Sequence, residues 1–311
     1  MLKLHWILSV FFLTQQFTLS DPLIVEKQGQ AIAEAKRTDY VLPLPGVPIV
    51  DDDKLTKLMD KLDKNVFRAP VNASLDPAGK IIAEQAGAKL DRRRFTEQFY
   101  GFIFEGETSR LEAPLQTIYP RVDGELIASI KSKRIGQYFT YYNNRNKNRA
   151  HNISLAAKAI NNYVVFPGER FSFNEVVGMR TEEKGYLPAP VIVRGEMSEG
   201  VGGGICQISS TLYNAADRAG LQIVQRYSHS RNVRYVPPGR DATVSWYGPD
   251  FVFENKYNQP VLIRAYADHG TVSISICSAE DVNVKTRNVP SASKKLPQEV
   301  KSEMNVHGLK P

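Results

Sequence analysis

The chain predicts an α+β protein: a C-terminal domain of mostly antiparallel strands with a few helices, preceded by a smaller α+β domain. Three observations predict this. Short apolar or alternating runs recur through the second half, at Tyr163–Phe166, Ala189–Val193, Ile223–Tyr227, Ala242–Trp246, Phe251–Phe253, Val261–Tyr266 and Thr271–Ile276. Few stretches among them carry helical spacing, which argues for strand pairing rather than alternating βα units. Finally, 311 residues with 42% hydrophobic content are enough for two cores.

From the N-terminus, Lys3 and His5 precede an apolar run from Trp6 to Leu13. The run is shorter than the roughly 20 residues a spanning helix needs, and it suits a signal peptide over residues 1–20, with Thr18-Leu19-Ser20 before the cut. Residues 21–53, with Pro43, Pro45 and Pro48, predict an extended linker. A first domain is expected over 54–130. Leu55, Leu58, Met59 and Leu62 have helical spacing, Pro70–Leu75 and Lys80–Glu84 predict a hairpin around the Asp76-Pro77-Ala78-Gly79 turn, Leu90–Ile103 predicts a helix capped by Asp91, and Leu115–Val122 a strand. Residues 131–148 predict a solvated basic connector, with Lys131, Lys133, Arg134, Arg145 and Lys147 among Tyr138, Phe139, Tyr141 and Tyr142. The second domain is expected over 149–278. It opens on a helix whose buried face is Ile153, Ala156, Ala157 and Ile160, capped by Asn152 or Ser154. Residues 279–311 are polar and predict a disordered tail.

The formal charge is +7 and the pI about 9.2. On an exported chain the available polyanions are wall polymers and lipid headgroups, so the predicted partner is peptidoglycan or an anionic wall polymer, not nucleic acid. Membrane contact is expected only through the N-terminal segment if it stays uncleaved, and the location is secreted or cell-envelope associated. Two cysteines make no disulfide framework. Cys277 sits in the alternating run Val272–Cys277 and reads as a small apolar strand residue.

Cys206 has another context. Gly202, Gly203 and Gly204 run into a helix whose apolar stripe is Ile205, Ile208, Leu212, Ala215, Ala216 and Ala219, stopped by Gly220. Cys206 falls in its first turn, off that stripe, where free N–H groups and the helix dipole favour a thiolate. The glycines would admit a substrate, and Gln207 with the first-turn N–H groups would hold an oxyanion. Downstream, His229 is a candidate base and Asp241 its orienting carboxylate. Arg180 either lines the site or belongs to a solvated loop. Arg240 either holds an anionic group of a wall fragment or is surface charge. No close-spaced pair of metal-ligand side chains occurs here, so neither a metal nor another cofactor is predicted. A buried, unreactive Cys206 beside a packed glycine turn is the competing account.

These residues carry a resemblance. The stretches Asn152-Ile153-Ser154-Leu155-Ala156-Ala157, Pro167–Asn174, Gly178-Met179-Arg180-Thr181, Gly202–Ala215, Arg226 with His229, Tyr235-Val236-Pro237 and Gly239–Val244 resemble the VanW family, over about Arg149 to Ile276. Val71 to about Val122 more loosely resembles the YoaR-type peptidoglycan-binding domain. The resemblance implies a bacterial envelope role and leaves the biochemical activity unassigned. The family is associated with vancomycin B-type resistance clusters, which does not extend resistance to this protein. Two functions follow as expectations: an accessory protein binding peptidoglycan or its precursors, or a Cys-dependent hydrolase or acyltransferase acting on peptidoglycan peptides.

Overall fold

The computed structural model describes residues 22–42, 49–105, 109–193 and 196–295, so the predicted signal segment and Pro43, Pro45 and Pro48 lie outside the described residues. The chain divides into two units. The first holds the residues up to Asn72 and Glu84–Arg121; the second holds Ala73–Ala83 and everything from Val122 onwards.

In the first unit, β1 (Leu23–Lys27) pairs antiparallel with β2 (Gln30–Ala35), and α1 (Arg37–Tyr40) follows. α2 (Asp52–Val66) buries Leu55, Leu58, Leu62 and Val66, and its N-cap Asp51 accepts from the Lys54 N–H. The chain then contributes β3 (Ser74–Leu75) and β4 (Ile81–Ile82), a hairpin of the second unit, and returns with β5 (Gly87–Leu90). α3 (Arg92–Phe104) is capped by Asp91, as the sequence predicts, and buries Phe95, Phe99, Phe102 and Ile103. β6 (Arg110–Glu112) adds to β1 in parallel, and β7 (Leu115–Ile118) pairs antiparallel with β5. The segment expected to be a linker is therefore structural in its described part. Leu23, Val25 and Ala35 are buried in the same cluster as the apolar faces of α2 and α3. Leu23 and Val25 alternate with Ile24 and Glu26, a strand period that the surrounding charges obscure.

The second unit continues with α4 (Gly124–Ile130), capped by Asp123, and β8 (Lys133–Tyr141). β8 replaces the predicted basic connector and pairs antiparallel along its length with the last strand. Gly136 faces Ile276 and Arg134 faces Cys277, so Ile135 is the extra residue of a bulge. That bulge buries both Ile135 and Gly136 and breaks the alternation that would reveal a strand. The cations stay outside: Lys133 and Arg134 are not buried, and Arg145 precedes the next helix.

α5 (Lys147–Ile160) begins earlier than predicted, with Asn146 as its cap; Ile153, Ala156, Ala157 and Ile160 are buried as predicted. β9 (Tyr163–Val165), β10 (Arg170–Ser172), α6 (Phe173–Val177), β11 (Pro188–Val193), β12 (Glu196–Val201), α7 (Ile205–Arg218), β13 (Gln222–Gln225), β14 (Val252–Glu254), β15 (Val261–Asp268) and β16 (Thr271–Ser278) complete the order. Two sheets organise this unit, β8-β16-β15-β9 and β10-β14-β13, each antiparallel throughout, with β11-β12 as a separate hairpin. The fold is thus α+β with mostly antiparallel sheets. Their apolar faces and helices α5 and α7 share one core, in which Phe171 stacks on Phe253 at 5.0 Å between ring centroids.

Two further expectations are corrected. Ala242–Trp246 forms no strand. Residues 279–295 are not a loose tail: Val282 and Val289 are buried in the main core, the Tyr138 hydroxyl donates to the Pro290 carbonyl, and Arg218 Nη2 donates to the Val289 carbonyl. Single apolar residues spaced among Lys, Asn and Ser give no period, yet each covers core at the end of the sheet.

Candidate active site

The site is built on α7. The sequence marks one apolar stripe, but the helix is buried on nearly every side, including Gln207, Ser209, Ser210, Thr211 and Asn214. Each of these polar groups is hydrogen-bonded, as buried polar groups must be. Ser209 Oγ donates to the Ala242 carbonyl at 2.5 Å, and Ser210 Oγ accepts from the Ala242 N–H at 2.8 Å. Asn214 Nδ2 donates to the Arg240 carbonyl at 2.7 Å. The polar face of α7 thus takes the place of a neighbouring strand for residues 240–242. Arg226 braces the same segment, donating to the Gly239 and Asp241 carbonyls. The Thr243 N–H reaches back to the Tyr227 carbonyl at 2.8 Å, which sets His229 opposite Asp241.

Cys206, His229 and Asp241 come together as the sequence predicts. His229 Nδ1 lies 2.6 Å from Asp241 Oδ2, and the His229 backbone N–H donates to the same oxygen at 2.6 Å. Both side chains are more than nine-tenths buried. With Nδ1 committed to the carboxylate, Nε2 is the ring nitrogen left for Cys206, and the two side chains shift each other's titration. Cys206 is half-buried, and its Sγ also lies 3.5 Å from the Val244 carbonyl and 3.8 Å from Thr243 Oγ1. Burial pushes the Cys206 thiol up, but the hydrogen bond and charge of His229 outweigh it and hold the thiol below its ordinary value. Burial pushes His229 down, while Asp241 and Cys206 together raise it to about 9. Burial likewise raises Asp241, and His229 more than offsets it, leaving the carboxyl low. The shifts agree in direction: each favours the charged form of its group, thiolate, imidazolium and carboxylate.

The other predicted contacts fare differently. Gln207 is fully buried. Its Oε1 accepts from Arg149 at 2.7 Å, and its Nε2 donates to Thr140 Oγ1 and the Tyr141 carbonyl. It ties α7 to β8 and is not available as an oxyanion donor. The backbone N–H groups of Ile205 and Gln207 are also taken, by the Gly202 and Gly204 carbonyls. Arg240 is not a free anion receptor: Nε donates to Asn214 Oδ1, Nη2 pairs with Asp217 at 2.7 Å, and the guanidinium stacks on Tyr213. The glycines serve packing rather than substrate access. A Cβ on Gly203 would stand 2.5 Å from the Ala189 carbonyl oxygen, and Gly204, at φ +105°, abuts Ile153 and Arg149. Arg180 alone among these contacts keeps unused donors, on Nε and Nη1. Thr243 and Val244 touch the sulfur; they lie in the Gly239–Val244 stretch of the resemblance, yet neither residue type marks it as part of a site. Ser209-Ser210 beside Cys206 was the available hint, since polar pairs on a buried helix need backbone to bind.

Among the described residues no cluster of three His, Cys, Asp or Glu side chains could hold a metal, and no helix is long and apolar enough to cross a membrane. Two open cavities, of about 410 and 840 Å³, are lined by residues around Tyr142 and His269 and around Gln98 and Phe102; neither includes Cys206, His229 or Asp241.

Residues 148–277 match the family described as VanW like protein. Over 297 residues, 96% of this chain and 98% of the relative, the sequence is 54% identical to the uncharacterized protein YoaR of Bacillus subtilis (strain 168). The chain belongs to the VanW family. Within that family it is also 33% identical to the vancomycin B-type resistance protein VanW of Enterococcus faecalis (strain ATCC 700802 / V583), over 106 residues, or 32% of this chain and 38% of that one. No solved structure matches the chain. All three members of the Cys206–His229–Asp241 cluster lie inside the VanW region.

Proposed function

We propose that this protein is a thiol enzyme of the cell envelope that hydrolyses or transfers acyl groups of peptidoglycan peptides. The observation that carries the reading is the Cys206–His229–Asp241 cluster, with the imidazole held by Asp241 at 2.6 Å and the Cys206 thiol lowered by His229. A non-catalytic binding groove has no use for a charged relay whose acid and base are both buried, so the geometry favours catalysis over the accessory-binding alternative.

The chemistry follows from the residue types and the directions of their shifts. The Cys206 thiolate attacks the scissile carbonyl, and the His229 imidazolium gives its proton to the departing amine, leaving a thioester and a neutral imidazole. The imidazole then removes a proton from water or an acceptor amine as that nucleophile attacks the thioester, and the thiolate is released. Asp241 stays ionised and fixes the tautomer. Two other features suit a wall substrate. Tyr227, Trp246 and Tyr247, close in sequence to His229 and Val244, are exposed, with Tyr247 90% accessible. The chain is also basic, and the apolar segment before Ser20 fits export.

The test is incubation of the purified protein and Cys206→Ala with defined muropeptides, read by mass spectrometry. Shortened or joined peptides formed by the native protein alone are expected. Identical product profiles for the two proteins would sink the enzyme reading, and retained sedimentation with wall sacculi would then favour binding.

A further inference from the structure

Arg180 has a placement that the relay leaves unexplained. It follows α6, and its Cβ and Cγ lie 3.2 and 3.5 Å from where a side chain on Gly202 would begin, against the entry to α7. Its Nη2 donates to Asn174 Oδ1 at 2.7 Å, and Asn174 Nδ2 donates in turn to the Ser245 and Pro249 carbonyls. The guanidinium carbon sits 5.8 Å over the Phe173 ring. Nε and Nη1 are enclosed by protein yet have no hydrogen-bond partner among the described residues. Asp250 does not supply one: its oxygens receive Ser172 Oγ and the N–H groups of Asn174 and Phe251. Burial pushes the guanidinium down, and Cys206 is the group that opposes this most strongly.

A buried cation with unused N–H donors is unfavourable until an acceptor arrives. The Cys206 sulfur is not that acceptor, since it lies outside hydrogen-bond reach of both nitrogens. The two donors therefore await an acceptor from outside the described residues. A guanidinium is suited to planar oxyanions, and an acyl donor of peptide character brings carboxylates. We propose that Arg180 is a specificity residue of the Cys206 site and receives a carboxylate of the acyl donor, so that the substrates are anionic peptides with a carboxylate near the scissile carbonyl. This rests on the thiol-enzyme reading. The neighbouring polar side chains Gln207 and Arg240 have their hydrogen bonds spent elsewhere, which leaves Arg180 as the residue for the task.

The experiment compares alkylation of Cys206 by iodoacetate and by iodoacetamide, across pH, in the full chain and in Arg180→Met and Arg180→Lys. In both reactions the thiolate displaces iodide, and the reagents differ in the carboxylate. The expected result is that Arg180→Met slows iodoacetate about tenfold while the iodoacetamide rate and its pH midpoint stay within about twofold, with Arg180→Lys between. Equal slowing of both reagents, or a raised midpoint with iodoacetamide, would assign Arg180 to the thiolate and overturn the carboxylate proposal. No change with either reagent would overturn it as well. If Arg180→Met fails to fold, Arg180→Lys decides: an unchanged ratio of the two rates refutes the proposal. Failure of the underlying reading looks different: native Cys206 would then react with neither reagent near neutral pH.

Discussion

For the single residue, the decisive quantity is the charge on His229. Held by Asp241, the ring stays protonated to about pH 9 and favours the ionised sulfur. Asp241→Asn removes the carboxylate and should return the ring toward its ordinary value. The pH midpoint of iodoacetamide alkylation of Cys206 then rises, and an unmoved midpoint would show that the pair does not govern the thiol. The same shift has a stability consequence. Because the folded His229 pKa is raised above the unfolded 6.5, its contribution is fully present below about 6.5 and is lost as pH rises through about 9. The urea stability gap between the native chain and His229→Gln should therefore be wider at about pH 6 than at about pH 10. Cys206, His229 and Asp241 were legible because chemistry follows residue type, and a cysteine at a helix start off the apolar stripe is unusual. Gln207 and Arg240 were misread for a physical reason: the sequence displays a donor but not the acceptor that already occupies it.

For the element, α7 shows how a helix can substitute for a strand. Its Ser and Asn side chains bind the backbone of residues 240–242, so loss of one hydroxyl opens a buried N–H. Ser210→Ala leaves the Ala242 N–H without its 2.8 Å acceptor and should cost about 1–3 kcal/mol in urea unfolding. It should also loosen Asp241, so iodoacetamide alkylation near pH 7 slows. Loss of stability with an unchanged alkylation rate would separate the two effects. Gly203→Ala tests the turn in front of the helix. Its methyl would meet the Ala189 backbone, which cannot yield as a side chain can, and a loss of at least about 1–3 kcal/mol is expected from the same measurement. The helices were readable from their periods and caps, as with Asp91 at α3 and the buried face of α5. Ala242–Trp246 looked like a strand because its composition is that of one, while Ala242 bonds to side chains of α7 and the N–H groups of Thr243 and Ser245 go to the Tyr227 and Pro249 carbonyls. In β8 the bulge at Ile135 hid a real strand in the opposite way.

For the whole molecule, the α+β class was visible in composition and spacing, but the limits of the units were not. A segment such as 279–295 is ordered by what it covers, and a chain read in one dimension shows no cover. Deleting residues beyond Ser278 uncovers the Val282 and Val289 sites and removes the bonds from Tyr138 and Arg218. At about 1.5–3 kcal/mol for each buried side chain, thermal unfolding should shift down by several degrees. An unchanged transition would mean that this segment adds nothing to the core.

The pairing of β8 with β16 has a practical meaning for anyone who isolates the family region. A fragment cut to residues 148–277 starts after β8, so the backbone of β16 would lose its partner along its length. An open strand edge invites another chain to add itself. Such a fragment would stay in solution poorly and assemble edge to edge, whatever the health of its cysteine. The segment that the family boundary leaves behind is thus the one that covers this edge of the site's scaffold.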